Sequence, residues 1–196
     1  MSKRSLYIVA LMVGMMAPVV GCEAQVPNPE LQIAGAVQAL PDELRDGASV
    51  LGYDTSGQLV SVREGTGDMI CLADDPNQEG FRVACYHQSL EPYMARGREL
   101  RAEGMGGESI MVRHKEANEG TLAMPAEPAM VYNLWGASFD LETGTVSESG
   151  TLYAVYIPNA TAESTGLPTS AVGPGVPWIM RPGTPSAHIM ISGPSN

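Results

Sequence analysis

Apolar and polar positions alternate with a period of two along several short stretches of this chain, and that period predicts strands. Residues 68–73 (Asp-Met-Ile-Cys-Leu-Ala) and 81–86 (Phe-Arg-Val-Ala-Cys-Tyr) form one such pair, separated by the turn-rich run Asp-Asp-Pro-Asn-Gln-Glu-Gly. A hairpin centred on Gln78 places Cys71 opposite Cys85, with Met69, Ala73 and Val83 on the same apolar face. Residues 50–53 and 59–62 flank Asp54-Thr55-Ser56-Gly57, a second hairpin signal in which Gly57 suits a positive φ. Further strands are expected at 129–135, 152–157 and 187–191. The segment 152–157 is apolar on both faces, which places it centrally in a sheet.

One stretch follows the helical period. In residues 89–103, Leu90, Tyr93, Met94 and Leu100 fall near one face, and Arg96, Glu99, Arg101 and Glu103 fall away from it. Gly97 weakens the middle of this helix and Gly104 is a natural stop. Residues 108–118 read as a second helix or, through Ile110-Met111-Val112, as a strand. A short helical turn is expected from Pro41. Residues 158–186 are thick with Pro, Gly, Ser and Thr and read as loop. The sum is an α+β fold: a mainly antiparallel sheet, one or two helices on one face, and a loop-rich C-terminal third.

The N-terminus carries a different pattern. Lys3 and Arg4 precede an uncharged run from Leu6 to Val20, 15 residues long. A transmembrane helix needs about 20 residues, whereas the apolar core of a secretory signal spans roughly 7–15. Pro18 interrupts helix near its end, and Gly21 and Cys22 follow. The string Val19-Val20-Gly21-Cys22 resembles the lipobox of bacterial lipoproteins, with Val19 where that family more often has Leu. The resemblance covers the first 22 residues only. It implies cleavage before Cys22, a diacylglycerol on its sulfur and attachment to a membrane of the cell envelope. Glu23 in place of Asp is compatible with outer-membrane sorting in the Gram-negative scheme. Two other readings stay open: an uncleaved anchor, and ordinary cleavage after Ala24 that releases a soluble periplasmic protein. The expected organisation is a signal at 1–21, a tether at 22–40 bearing Pro27, Pro29 and Gly35, and one α+β domain at 41–196.

Composition narrows the classes of partner. Net charge is −11, and loss of residues 1–21 removes Lys3 and Arg4 but no acid. Such a surface repels phosphate backbones, so nucleic acid is disfavoured and membrane attachment falls to the lipid anchor. With Cys22 lipidated or removed, Cys71 and Cys85 remain, and an oxidising compartment favours their disulfide over a free thiol pair or a metal site with His87.

Candidate chemistry is sparse. The chain has no Walker loop, no Gly-x-Ser-x-Gly elbow and no His-Glu-x-x-His. A Ser164 nucleophile with Glu163 beside it and His188 as base would make the 158–188 region a hydrolase site. The plainer role for Thr161, Ser164 and Thr165 is to satisfy turn backbone. His188 and Met190 share a strand face, a pairing that suits copper(I); the plainer role for methionine is to fill a core that is poor in aromatic residues. No cofactor is implied. The leading expectation is therefore a non-catalytic envelope lipoprotein that binds a protein partner or supports structure. An apolar patch at Trp135 or Trp178 would mark its binding surface.

Overall fold

The computed structural model describes residues 26–195. The signal, Cys22 and the first residues of the expected tether lie outside the described residues.

In chain order the elements are α1 (Pro29–Ala36), α2 (Asp42–Arg45), β1 (Ser49–Tyr53), β2 (Leu59–Arg63), β3 (Met69–Leu72) and β4 (Phe81–His87). Then follow α3 (Glu91–Ala102), α4 (Ser109–Asn118), β5 (Ala129–Gly136), β6 (Ser138–Asp140), β7 (Thr145–Ser147) and β8 (Gly150–Tyr156). The described chain ends with α5 (Ala162–Thr165), β9 (Trp178–Met180) and β10 (His188–Ser195). Eight strands make one sheet in the order β2-β1-β3-β4-β5-β8-β10-β9, and β6 and β7 pair separately. All neighbours in the large sheet are antiparallel except β1 and β3.

The cysteine hairpin has the register its alternation dictates. Cys71 pairs with Cys85, and the two are joined by a disulfide. Both are fully buried in a core cluster with Met69, Ala73 and Val83. The link closes a sequence separation of 14 residues, worth about 3 kcal/mol in the chain-entropy view. In the hairpin of β1 and β2, Gly57 has φ +76°, and Asp54 accepts hydrogen bonds from the backbone N–H of Ser56 and Gln58. β8 lies between β5 and β10, inside the sheet as its two apolar faces require.

Helices cover both faces of the sheet, not one. Consecutive strand residues point to opposite faces, and in β4 Cys85 and Tyr86 belong to two different cores. The Cys85 core includes Ala36, Val37, Ala39 and Leu40 from α1 and the turn after it. The Tyr86 core includes Leu90 and Tyr93 from the α3 region, with Val131, Ala154 and Tyr156 from the sheet.

The tether expected at 22–40 is corrected in the same way: from Pro29 onward it is part of the domain. Asn28 caps α1 by accepting from Leu31 N–H at 2.8 Å, and Pro29 occupies the first turn. Gln32 is buried, and its side chain acts as a short strand beside the end of β1. It donates to Pro27 O and Tyr53 O (2.8 and 2.9 Å) and accepts from Tyr53 N–H at 2.7 Å.

The ambiguous stretch 108–118 is helical, with Arg113, His114 and Ala117 turned inward. The 158–186 segment carries the single turn of α5 and the short strand β9. No helix among the described residues is long and apolar enough to cross a membrane.

Candidate functional site

Sheet register lines up residues that are far apart in sequence. Leu51, Leu72, Ala84, Asn133 and Leu152 are successive partners across β1, β3, β4, β5 and β8. They form one row on the face that carries α3. The row on one side of them, Ile70, Tyr86, Val131 and Ala154, belongs to the core that α3 covers. On the other side Arg82 partners Trp135, which partners Gly150. Among the described residues α3 borders this row, with Leu72 packed against its core, and does not cover it; the result is an open trough of about 1320 Å³. The sheet is its floor, α3 is one wall through Glu91, Arg98 and Arg101, and the β1–β2 hairpin closes an end through Tyr53, Gly57 and Leu59.

Trp135 lies flat on that floor. A Cβ at Gly150 would come within 2.6 Å of the indole, so the missing side chain lets the ring rest on the neighbouring strand. The residue stays 40% exposed. Trp178, by contrast, is half-buried in β9. Tyr53 at the far end has its phenol pushed up to about 12, first by burial and then by the charge of Asp75.

Every carboxylate lining the trough is already engaged. Glu91 accepts from Tyr86 Oη at 2.6 Å and is ion-paired with Arg98. Glu99 pairs with Arg96 at 3.2 Å. Asp75 accepts from Asn77 N–H at 2.9 Å and from Gln78 Nε2 at 3.1 Å within its own turn. Two guanidiniums are not so engaged. Arg82 and Arg101 line the trough and form no ion pair among the described residues. Arg101 is pushed below its usual range first by burial and then by the positive charges of Arg113 and Arg98, with Tyr53 acting in the opposite direction.

The residues singled out in the sequence fall elsewhere. Ser164 and Thr161 form a reciprocal cap on α5: Ser164 Oγ accepts from Thr161 N–H at 2.9 Å, and Thr161 Oγ1 accepts from Ser164 N–H at 3.1 Å. Glu163 is held below its usual range by its own backbone N–H and the Thr161 hydroxyl. These are the turn-satisfying roles that Ser/Thr runs favour. His188 is 6% exposed, its Nδ1–H donates to Ser186 O at 2.8 Å, and its ring stacks on Tyr156 at 4.7 Å. His87 Nδ1 lies 2.8 Å from Ser89 Oγ, and His114 Nδ1 lies 2.9 Å from Tyr93 Oη.

For a soft metal, register puts Met180 and Met190 on the same sheet face as His188. The surroundings oppose a cation there: burial first, and the charge of Arg181 after it, depress both His188 and His114. No group of three or more His, Cys, Asp or Glu among the described residues is arranged to hold a metal ion. Cys22 lies outside the described residues.

Trp135 is the trough residue that composition could flag. Arg82 and Arg101 went unnoticed as a pair, since 19 positions separate them and only the crossing of α3 over the sheet brings both to one cavity. Compared with known protein families, curated proteins and solved structures, the chain matches none.

Proposed function

We propose that this chain is a non-catalytic lipoprotein of the bacterial cell envelope, anchored through Cys22, and that the trough beside Trp135 is its binding surface. One observation carries the binding reading: an exposed indole on an apolar floor, flanked by two guanidiniums that form no ion pair among the described residues. Exposed aromatic and arginine side chains grouped in this way are the usual anchors of a protein interface. The anchor rests on the basic, apolar and small-residue order of residues 1–22 and on the lipobox string. Two or three acyl chains hold a protein on a bilayer far better than one. The buried Cys71–Cys85 disulfide accords with an oxidising compartment.

Metabolic labelling with a palmitate analogue tests the anchor. Label should appear on the wild-type protein and vanish in Cys22→Ala, which should also leave the membrane fraction. An unlabelled wild-type protein found in the cytosol would overturn the reading.

A further inference from the structure

We infer that the trough receives an acidic amphipathic helix of a partner protein. The inference rests on the trough being the binding surface, as proposed above, and adds the class of partner.

Four properties of the trough select that occupant. The first is its openness. Small-molecule sites bury some 70–90% of a ligand's surface, whereas this floor is open along its length and would leave a bound acyl chain largely in water. A macromolecular segment brings its own cover.

The second is the kind of backbone on offer. Strand addition needs a free sheet edge. The floor is a sheet face spanning β1, β3, β4, β5 and β8, and the edges of the sheet are β2 and β9. The natural complement of an uncovered sheet face is a helix with an apolar stripe. α3 already packs on the adjacent row in that manner.

The third is length. Five strands have four spacings of about 4.8 Å, so the floor is roughly 19 Å across, the span of about 13 helical residues. α3, its wall, has 12.

The fourth is charge. Arg82 rises from the sheet side and Arg101 from the helix side, so carboxylates on both flanks of a helix lying between them would each meet a guanidinium. The acids that line the trough are committed to Arg98, Arg96 and their own turn; Asp74, outside the lining, feels the charge of Arg82 without forming an ion pair with it. The net charge of −11 acts over a longer range. At physiological ionic strength the screening length is about 8 Å, so the local arginines decide.

The test uses the full-length, acylated protein in neutral phosphatidylcholine vesicles. The probes are two fluorescein-labelled helical peptides of about 14 residues. Both carry leucine at i, i+3, i+4 and i+7; glutamates flank the stripe in one and lysines in the other. Fluorescence anisotropy should show the glutamate peptide binding about tenfold or more tightly than the lysine peptide. The double substitution Arg82→Glu and Arg101→Glu should reverse that order, and Trp135→Ala should weaken both. Equal affinities, no binding of the glutamate peptide, or a preference that survives the double substitution would overturn the inference. Failure of the trough as a binding surface is read separately, from crosslinking at position 135 in cells. Crosslinks without charge discrimination would overturn the partner class alone.

Discussion

Gly97 of α3 and Arg113 of α4 occupy one space: a Cβ at Gly97 would stand 2.8 Å from Arg113 Cζ. The guanidinium lies 4.5 Å above the Tyr93 ring, and its Nη1 donates to Tyr93 O at 3.2 Å. The glycine that weakens the helix on propensity alone is thus the seat of its neighbour's charge. Gly97→Ala gains about 1 kcal/mol of helix propensity but displaces an arginine that is only 9% exposed and held against the ring and carbonyl of Tyr93. We expect a net loss of about 1–3 kcal/mol in urea denaturation. The double variant Gly97→Ala, Arg113→Met should recover part of it, a non-additivity that additive sites do not show.

Gln32 tests whether residues 26–40 belong to the domain. Gln32→Leu keeps similar bulk but strips partners from the N–H and C=O of Tyr53. Leaving such groups unpaired costs about 1–3 kcal/mol. Denaturant titration should show that loss. A stability unchanged by the substitution would mean that the segment hangs free.

The disulfide gives a third expectation. Cys71→Ala with Cys85→Ala removes a covalent link from a fully buried pair and should lower stability by about 2–4 kcal/mol. Mass spectrometry of unreduced peptides should find the two cysteines joined. A free Cys71 thiol in exported protein would contradict the pairing.

Acid should unfold the domain through its buried histidines. Burial, and then the charge of Arg181, pull His114 down to about 4, and burial also lowers His188. Both stay neutral in the fold, while the unfolded chain takes up protons near 6.5. The contribution of His114 is therefore complete above pH 6.5 and is lost as pH falls toward 4, and His188 acts in the same direction. For His114 it is on the order of 3 kcal/mol. Stability measured against pH should fall across that window, and His114→Gln should flatten the slope.

Local pattern made part of this legible. The cysteine hairpin, the Gly57 hairpin and the stripe of α3 follow from periods of two and 3.6 residues with turn residues between them. The N-terminal segment was harder, because Gln32, Gly35, Ala36, Val37, Ala39 and Leu40 are all buried and so many inward positions carry no single period. Its Asn28-Pro29 start is nonetheless a readable cap. Coverage of both sheet faces depends on which residue of each strand meets which helix, a matter of pairing at long range. The trough lies at the same depth: Leu51, Ala84 and Leu152 become neighbours only through register. That Arg82 and Arg101 form no ion pair among the described residues follows only from where the trough's acids find their partners.

The working surface is tested most directly by a photoreactive side chain placed at Trp135 in cells making the full, membrane-anchored protein. The comparison is the same group at Leu141, which is 54% exposed beside the β6–β7 hairpin and outside the trough. A discrete protein adduct from position 135, absent from 141 and diminished by Arg82→Glu with Arg101→Glu, is the predicted result. No adduct at 135, or the same adducts from both positions, would contradict the account.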